Sequence, residues 1–226
     1  MTLSGVKPVS RHKTLAEDTF EKLRLAIMTG AVKPGERISA RAVAEAAKVS
    51  FTPAREAVGR LIAEGALEAI GPKTIVVPSL TEADLRELTT IRKLNEGLAA
   101  ELAVKNFDEA AIRKLSDTQT KYERIRRRES FQESLKLNED FHFQIYNRCG
   151  MPRLISIIES LWLKMGPSFN LLNTAEDLPE RPHSFHRDAI EGLKSGNRAK
   201  VGKAIKADID FGLERLVTLL PDPSKD

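Results

Sequence analysis

Two short helical patterns with a three-residue turn between them, within residues 40–67, constrain this chain more than any other stretch. The first carries Arg41, Val43 and Ala44; the turn falls at residues 48–50; the second starts near Thr52 and Pro53 and stops at Gly65. Proline tolerates the first turn of a helix because its missing N–H would go unbonded there, and glycine accepts the left-handed backbone that closes a helix. At 3.6 residues per turn the second helix gathers Ala54, Ala57, Val58, Leu61 and Ile62 on one face. Thr52, Arg55, Glu56 and Gly59 must then look outward. A helix pair with one packed face and one small, polar, cationic face suits the major groove of DNA.

The flanking residues complete that unit. Residues 15–29 predict a helix with Phe20, Leu23, Ala26 and Ile27 on one side, ended by Gly30. Residues 33–38 read as a turn feeding a short extended piece. Residues 66–70 and 74–78 flank Gly71, Pro72 and Lys73 and read as a two-stranded hairpin. Three helices and a hairpin over residues 14–78 make a winged helix-turn-helix. Residues 1–13, with Lys7, Arg11, His12 and Lys13 among Ser, Gly and Pro, read as a flexible basic arm.

Charge supports the same division. The formal net charge is +4; residues 1–78 carry 12 Lys and Arg against 8 Asp and Glu, and the remainder 24 against 24. The whole excess lies with the helix pair, a modest footprint for a polyanion. With 226 residues, 41% hydrophobic and 30% charged, the chain suits two modest folded domains and neither disorder nor a disulfide scaffold. Cys149 is the single cysteine and reads as a buried thiol. No apolar run reaches membrane-spanning length and no hydrophobic leader is present, which places the expected location in the cytoplasm without a membrane partner.

Beyond Pro78 only helical signals follow, with Ser79 or Thr81 as the first cap. Six helices are expected, near residues 81–105, 108–129, 131–148, 151–172, 182–195 and 197–219. The fold class is mainly α: the winged helix-turn-helix, then an antiparallel all-α bundle over residues 79–220 and a tail at 221–226. Arg124, Arg126, Arg127 and Arg128 read as a solvated face. Leu154, Ile157, Ile158, Leu161, Trp162 and Met165 read as core.

Polar residues interrupt the apolar stripes of this bundle. Asn138 and His142 share a face with Leu135 and Ile145; His186 shares one with Ala189, Ile190 and Leu193. Asp208 sits in the stripe Val201, Ile205, Gly212, Leu216. Burying such groups without partners is costly. Converging imidazoles and a carboxylate suit zinc, nickel or a related divalent ion; the alternative is a hydrogen-bonded histidine–aspartate core without metal. His183 reads as a surface residue. No organic cofactor is expected.

These motifs together resemble the GntR family of transcription regulators. LysLeuArgLeuAlaIleMetThrGly at 22–30, LysProGlyGluArgIleSer at 33–39 and ValSerPheThrProAlaArgGluAlaVal at 49–58 are similar to its amino-terminal domain across residues 19–78. ArgLysLeuAsnGluGlyLeuAlaAla at 92–100, AsnGluAspPheHis at 138–142 and HisArgAspAlaIle at 186–190 resemble the FCD ligand-binding domain of the FadR subfamily, in its shorter six-helix, VanR-like form. The resemblance implies DNA contacts at Arg41, Ser50, Thr52 and Arg55 and at the hairpin tip, Lys73 and Thr74. It also implies a metal and effector site at Asn138, His142, His186 and Asp208. Two departures stand out there: Asn138 replaces the family's first acid and Asp208 its last histidine. Arg92 resembles an arginine that would hold the carboxylate of an organic acid effector, with a structural pair to Glu96 as its competing role. Phe51 and Thr74 stand where the family usually has arginine and glycine. Phe51 then either touches a thymine methyl or packs inward.

The expected function is a homodimeric, ligand-responsive transcription regulator on a palindromic operator, a repressor released by a small carboxylate metabolite. Two alternatives remain: a metal-dependent hydrolase using two histidines and an acid, and a DNA-binding protein with a ligand-free structural bundle.

Overall fold

The computed structural model describes residues 14–71, 74–126, 131–173 and 184–220. The basic arm, Lys73, Arg127, Arg128, His183, the tail and the side chain of Arg126 lie outside the described residues.

The amino-terminal unit is α1 (Leu15–Met28), β1 (Arg37–Ile38), α2 (Ala40–Ala47), α3 (Phe51–Ala63), β2 (Glu68–Ala69) and β3 (Ile75–Val76). Thr14 closes a capping box with Glu17, which satisfies two N–H groups that the first turn of α1 cannot. Lys48 takes the left-handed conformation at φ 54° and turns the chain sharply between α2 and α3. Residues Ala54, Ala57, Val58 and Leu61 are buried against α1, and Arg60 lies over the Phe20 ring at 3.7 Å. The wing has three strands rather than the expected two. The extended piece after α1 pairs with the hairpin, giving the order β1-β3-β2 with Ile38 opposite Ile75 and Ala69 opposite Ile75. Beside it, the Gly35 N–H donates to the Val77 carbonyl at 2.8 Å and the Glu36 carbonyl accepts from the Val77 N–H at 2.9 Å.

The carboxy-terminal unit is α4 (Glu82–Ala103), α5 (Glu109–Arg126), α6 (Phe131–Tyr146), α7 (Pro152–Met165), α8 (Ser184–Lys194) and α9 (Arg198–Val217). Thr81 caps α4 through a box with Asp84. Cys149 is buried. Two expected helices end earlier than their apolar patterns run. The first passes at Val104–Asn106 into a 3₁₀ turn. The fourth ends at Met165 and continues as a 3₁₀ segment, Gly166–Asn173. Pro167 has no N–H to continue the α-helical ladder, and Gly166 lies against the backbone of Ile27 and Met28. Ile157 also departs from expectation: it is half exposed, while Leu154, Ile158, Leu161, Trp162 and Met165 are buried as expected.

That crossing joins the two units. Asn170 donates to the Val32 carbonyl at 2.7 Å, Arg24 pairs with Glu159 at 3.1 Å, and Gly30 packs beside Leu135 of α6. The helix pair α2 and α3 is therefore seated on α6, α7 and the 3₁₀ segment through α1 and the residues that follow it. One hydrophobic core runs through both units, and a smaller one, Leu85, Met165, Leu213 and Leu216, closes the far end of the bundle.

Candidate functional site

On the DNA-reading side, α3 begins one residue earlier than its proline suggested, at Phe51 behind Ser50. Ser50 makes no side-chain cap bond. Arg41, Ser50, Phe51, Thr52 and Arg55 are all exposed, and Thr74 is half-buried at the base of the hairpin tip. Phe51, 53% exposed, does not pack inward. No ion pair engages Arg55 among the described residues, so its guanidinium is available to a base edge.

Inside the bundle, α6, α8 and α9 deliver His142, His186 and Asp208 to one point. They are 1%, 3% and 3% exposed, and their ligand atoms lie within 4.8 Å of one another. His142 Nε2 is 3.2 Å from one Asp208 oxygen and His186 Nε2 is 3.8 Å from the other. Asn138 sits one turn before His142 and lines the adjoining cavity of about 170 Å³, together with Arg92, Ser134, Tyr122 and Arg215.

The surrounding hydrogen bonds assign the ring protons. Burial and the neighbouring Glu96 carboxylate push the Tyr146 phenol well above its ordinary range, so it keeps its proton. It donates that proton to Glu96 at 2.7 Å, and its oxygen can then only accept from His142 Nδ1, 2.9 Å away. Gln119 donates its amide NH₂ to Glu123 at 2.9 Å, which turns its carbonyl oxygen toward His186 Nδ1 at 2.6 Å. That nitrogen must donate as well. Both neutral imidazoles therefore carry the proton on Nδ1 and aim the lone pair of Nε2 at the Asp208 carboxylate. Lone pairs facing a carboxylate attract only when a cation, either a proton or a metal ion, lies between them. Imidazole ligands whose other nitrogen donates to an acceptor are the arrangement that divalent metals select.

Arg92 takes the competing role. Buried at 5% exposure, it forks onto Glu96 through Nε at 2.6 Å and Nη2 at 3.3 Å, with its guanidinium over Trp162. Glu96, fully buried, also accepts from Trp162 Nε1 at 3.0 Å. Arg92 still borders the cavity.

Gln119 and Tyr146 escaped the reading of the sequence, although both carried a legible signal. Gln119 interrupts the inward stripe of Ala111, Leu115 and Tyr122 as His142 interrupts its own, and Tyr146 lies one turn beyond His142. Glu96 is expected only as the pairing partner of Arg92, and nothing local shows that it also accepts from Tyr146 and Trp162.

Residues 15–77 match the family model described as bacterial regulatory proteins, gntR family, and residues 87–211 match the FCD domain. The chain is similar to the HTH-type transcriptional regulator McbR of Escherichia coli, at 31% identity over 78% of this chain and 81% of that protein. It is also similar to the gluconate operon transcriptional repressor of Bacillus subtilis, at 29% identity over 92% and 87%. Among solved structures, that of E. coli McbR/YncC superposes with a TM-score of 0.84 at 26% identity, covering 91% of this chain and 98% of that one. These comparisons give the hydrolase alternative no support. No helix among the described residues is long and apolar enough to cross a membrane.

Proposed function

We propose that this chain, which belongs to the gntR family of bacterial regulatory proteins and carries an FCD domain, is a cytoplasmic, homodimeric repressor whose grip on a palindromic operator is released by a small carboxylate. It is a regulator rather than an enzyme. The observation that carries the sensor half is the pair of Nδ1–H imidazoles turned on Asp208. His142, His186 and Asp208 hold a divalent ion, with Asn138 as a fourth oxygen ligand or a hydrogen-bonding neighbour. Held there, the ion would supply positive charge beside the cavity.

The cavity suits a molecule of a few non-hydrogen atoms, on the order of benzene in size. Arg92 is committed to Glu96, so it contributes positive potential at the cavity wall and a fixed Glu96 network beneath His142. The carboxylate of the effector would bind toward the ion and the arginines. Asn138 lies one helical turn beyond Leu135, which touches Gly30, and Phe169 of the cavity wall neighbours Asn170, which holds Val32. An effector that prefers one arrangement of α6 and the 3₁₀ segment thereby biases the seat of the reader helices.

On the DNA, Arg55 reads a base edge, while Arg41, Ser50, Thr52, Lys73 and Thr74 fix the helix on the backbone. The test is operator binding by fluorescence anisotropy, with metal content of the purified protein measured in parallel. The expected result is stoichiometric divalent metal, lost in His142→Ala with His186→Ala, and an operator affinity lowered by at least one small acid only in the metal-loaded form. Arg55→Ala should lose sequence selectivity while keeping its fold. Metal-free protein that binds no added zinc or nickel overturns the metal reading, and Arg55→Ala with unchanged selectivity overturns the reader assignment.

A further inference from the structure

A glycine in α9 is explained neither by its backbone nor by its packing. Gly212 lies inside the helix, where glycine is less stable than alanine because it loses more backbone freedom on folding. The other α-helical glycines of the bundle answer to close approaches. A Cβ at Gly97 would run into Lys206, one at Gly202 into Glu101, and one at Gly192 would lie 2.6 Å from Val201 Cγ2. A Cβ at Gly212 would meet no heavy atom within 4 Å among the described residues. Gly212 instead lines the sensor cavity, one helical turn beyond Asp208, which is about 6 Å farther along the helix axis.

The cavity has two unlike walls. Along α6, Ser134, Asn138 and His142 follow at steps of four and make a polar track. Beyond Asp208 the opposite wall is apolar: Leu213, Leu216 and Met165 belong to the smaller core, and Phe169 and Leu172 pack on it. Arg215 borders that wall with its guanidinium 5.8 Å from the Phe211 ring.

We propose that the effector is a short-chain aliphatic carboxylate whose chain passes over Gly212, and that Gly212 sets the length of chain admitted. The inference rests on the metal and carboxylate reading above and adds the chemistry of the chain and the residue that measures it. With the carboxylate held at the Asp208 end, an alkyl chain gains burial by running past Gly212 toward Leu213 and Leu216. Each methylene buried there strengthens binding about fourfold. A hydroxylated or charged chain loses water on the same wall without finding partners. Any side chain at position 212 would narrow the passage, so the helix forgoes the stability of alanine to leave room for a ligand.

The test uses the full chain loaded with zinc and titrated with straight-chain acids from acetate to hexanoate. Trp162, the single tryptophan, lines the cavity and reports binding by its fluorescence. Bound zinc and the unfolding midpoint are measured on the same samples. Wild-type affinity should rise about fourfold per methylene to a limiting length and then fall. In Gly212→Ala the acid of that length should lose roughly tenfold or more while acetate stays within about twofold, with zinc content unchanged and the midpoint equal or higher. Gly212→Leu should bind acetate alone; should it misfold, the alanine variant decides. An alanine variant that keeps the wild-type ranking of acids overturns Gly212 as the measuring residue. A wild type that holds zinc but prefers no longer acid to acetate overturns the aliphatic class while the metal reading stands. A wild type that takes up neither zinc nor nickel overturns both.

Discussion

The backbone of Gly166 rests directly on the last turn of α1, so close that a Cβ there would overlap the carbonyl oxygen of Ile27 and lie 2.6 Å from Cα of Met28. The neighbours are backbone atoms and cannot rotate away. Gly166→Ala must therefore push α1 off α7 or distort the start of the 3₁₀ segment. The expected cost is about 1–3 kcal/mol, seen as a lower unfolding midpoint. Effector response should weaken with it, because the same segment walls the cavity. A variant with wild-type midpoint and wild-type response would show that the two units are not coupled at this point.

At the proposed metal site, the Gln119 carbonyl, which holds the His186 proton on Nδ1, should set the metal affinity without touching the ion. Gln119→Leu keeps the volume but removes the acceptor. Metal affinity, read by competition with a chromogenic chelator, should fall roughly 10- to 100-fold. Gln119→Glu, which retains an acceptor facing the ring, should hold the ion at least as well as the leucine variant does. Equal affinities in all three proteins would remove Gln119 from the site.

Glu96 balances the buried Arg92 charge and orders Tyr146 and Trp162. Glu96→Gln leaves a buried guanidinium without a counter-charge, a loss of about 3–5 kcal/mol when one member of such a pair is removed. Thermal unfolding should show a large drop in midpoint. An unchanged midpoint would mean that water or another carboxylate compensates Arg92.

Phe51 stands outward on the first turn of the reading helix, where the family usually offers an arginine. An aromatic ring there can recognise the C5 methyl of thymine. Replacing each operator thymine by uracil deletes only that methyl group. At one position in each half-site the wild type should lose about fourfold in affinity, the worth of one buried methyl, and Phe51→Ala should lose nothing further. If every uracil operator binds the wild type as the parent does, Phe51 reads no thymine.

The sequence by itself determined the two-unit division, the reading helix and its faces, and three buried polar residues that meet in space. Helical periodicity converts residue types directly into faces, and polar groups on an apolar stripe must find partners. It did not determine that Phe51 faces outward, that a third strand completes the wing, or that the apolar run of α7 changes helix type at Gly166. Those depend on what the rest of the chain brings alongside, such as the α1 backbone against Gly166 and the strand at Arg37–Ile38 beside Ile75–Val76. Only the tertiary structure could show that Arg92 is held by Glu96, and that Tyr146 and Gln119 turn both histidine lone pairs toward Asp208. Proton position follows from which donors and acceptors converge across 50 and 67 residues of chain, and no local pattern encodes that.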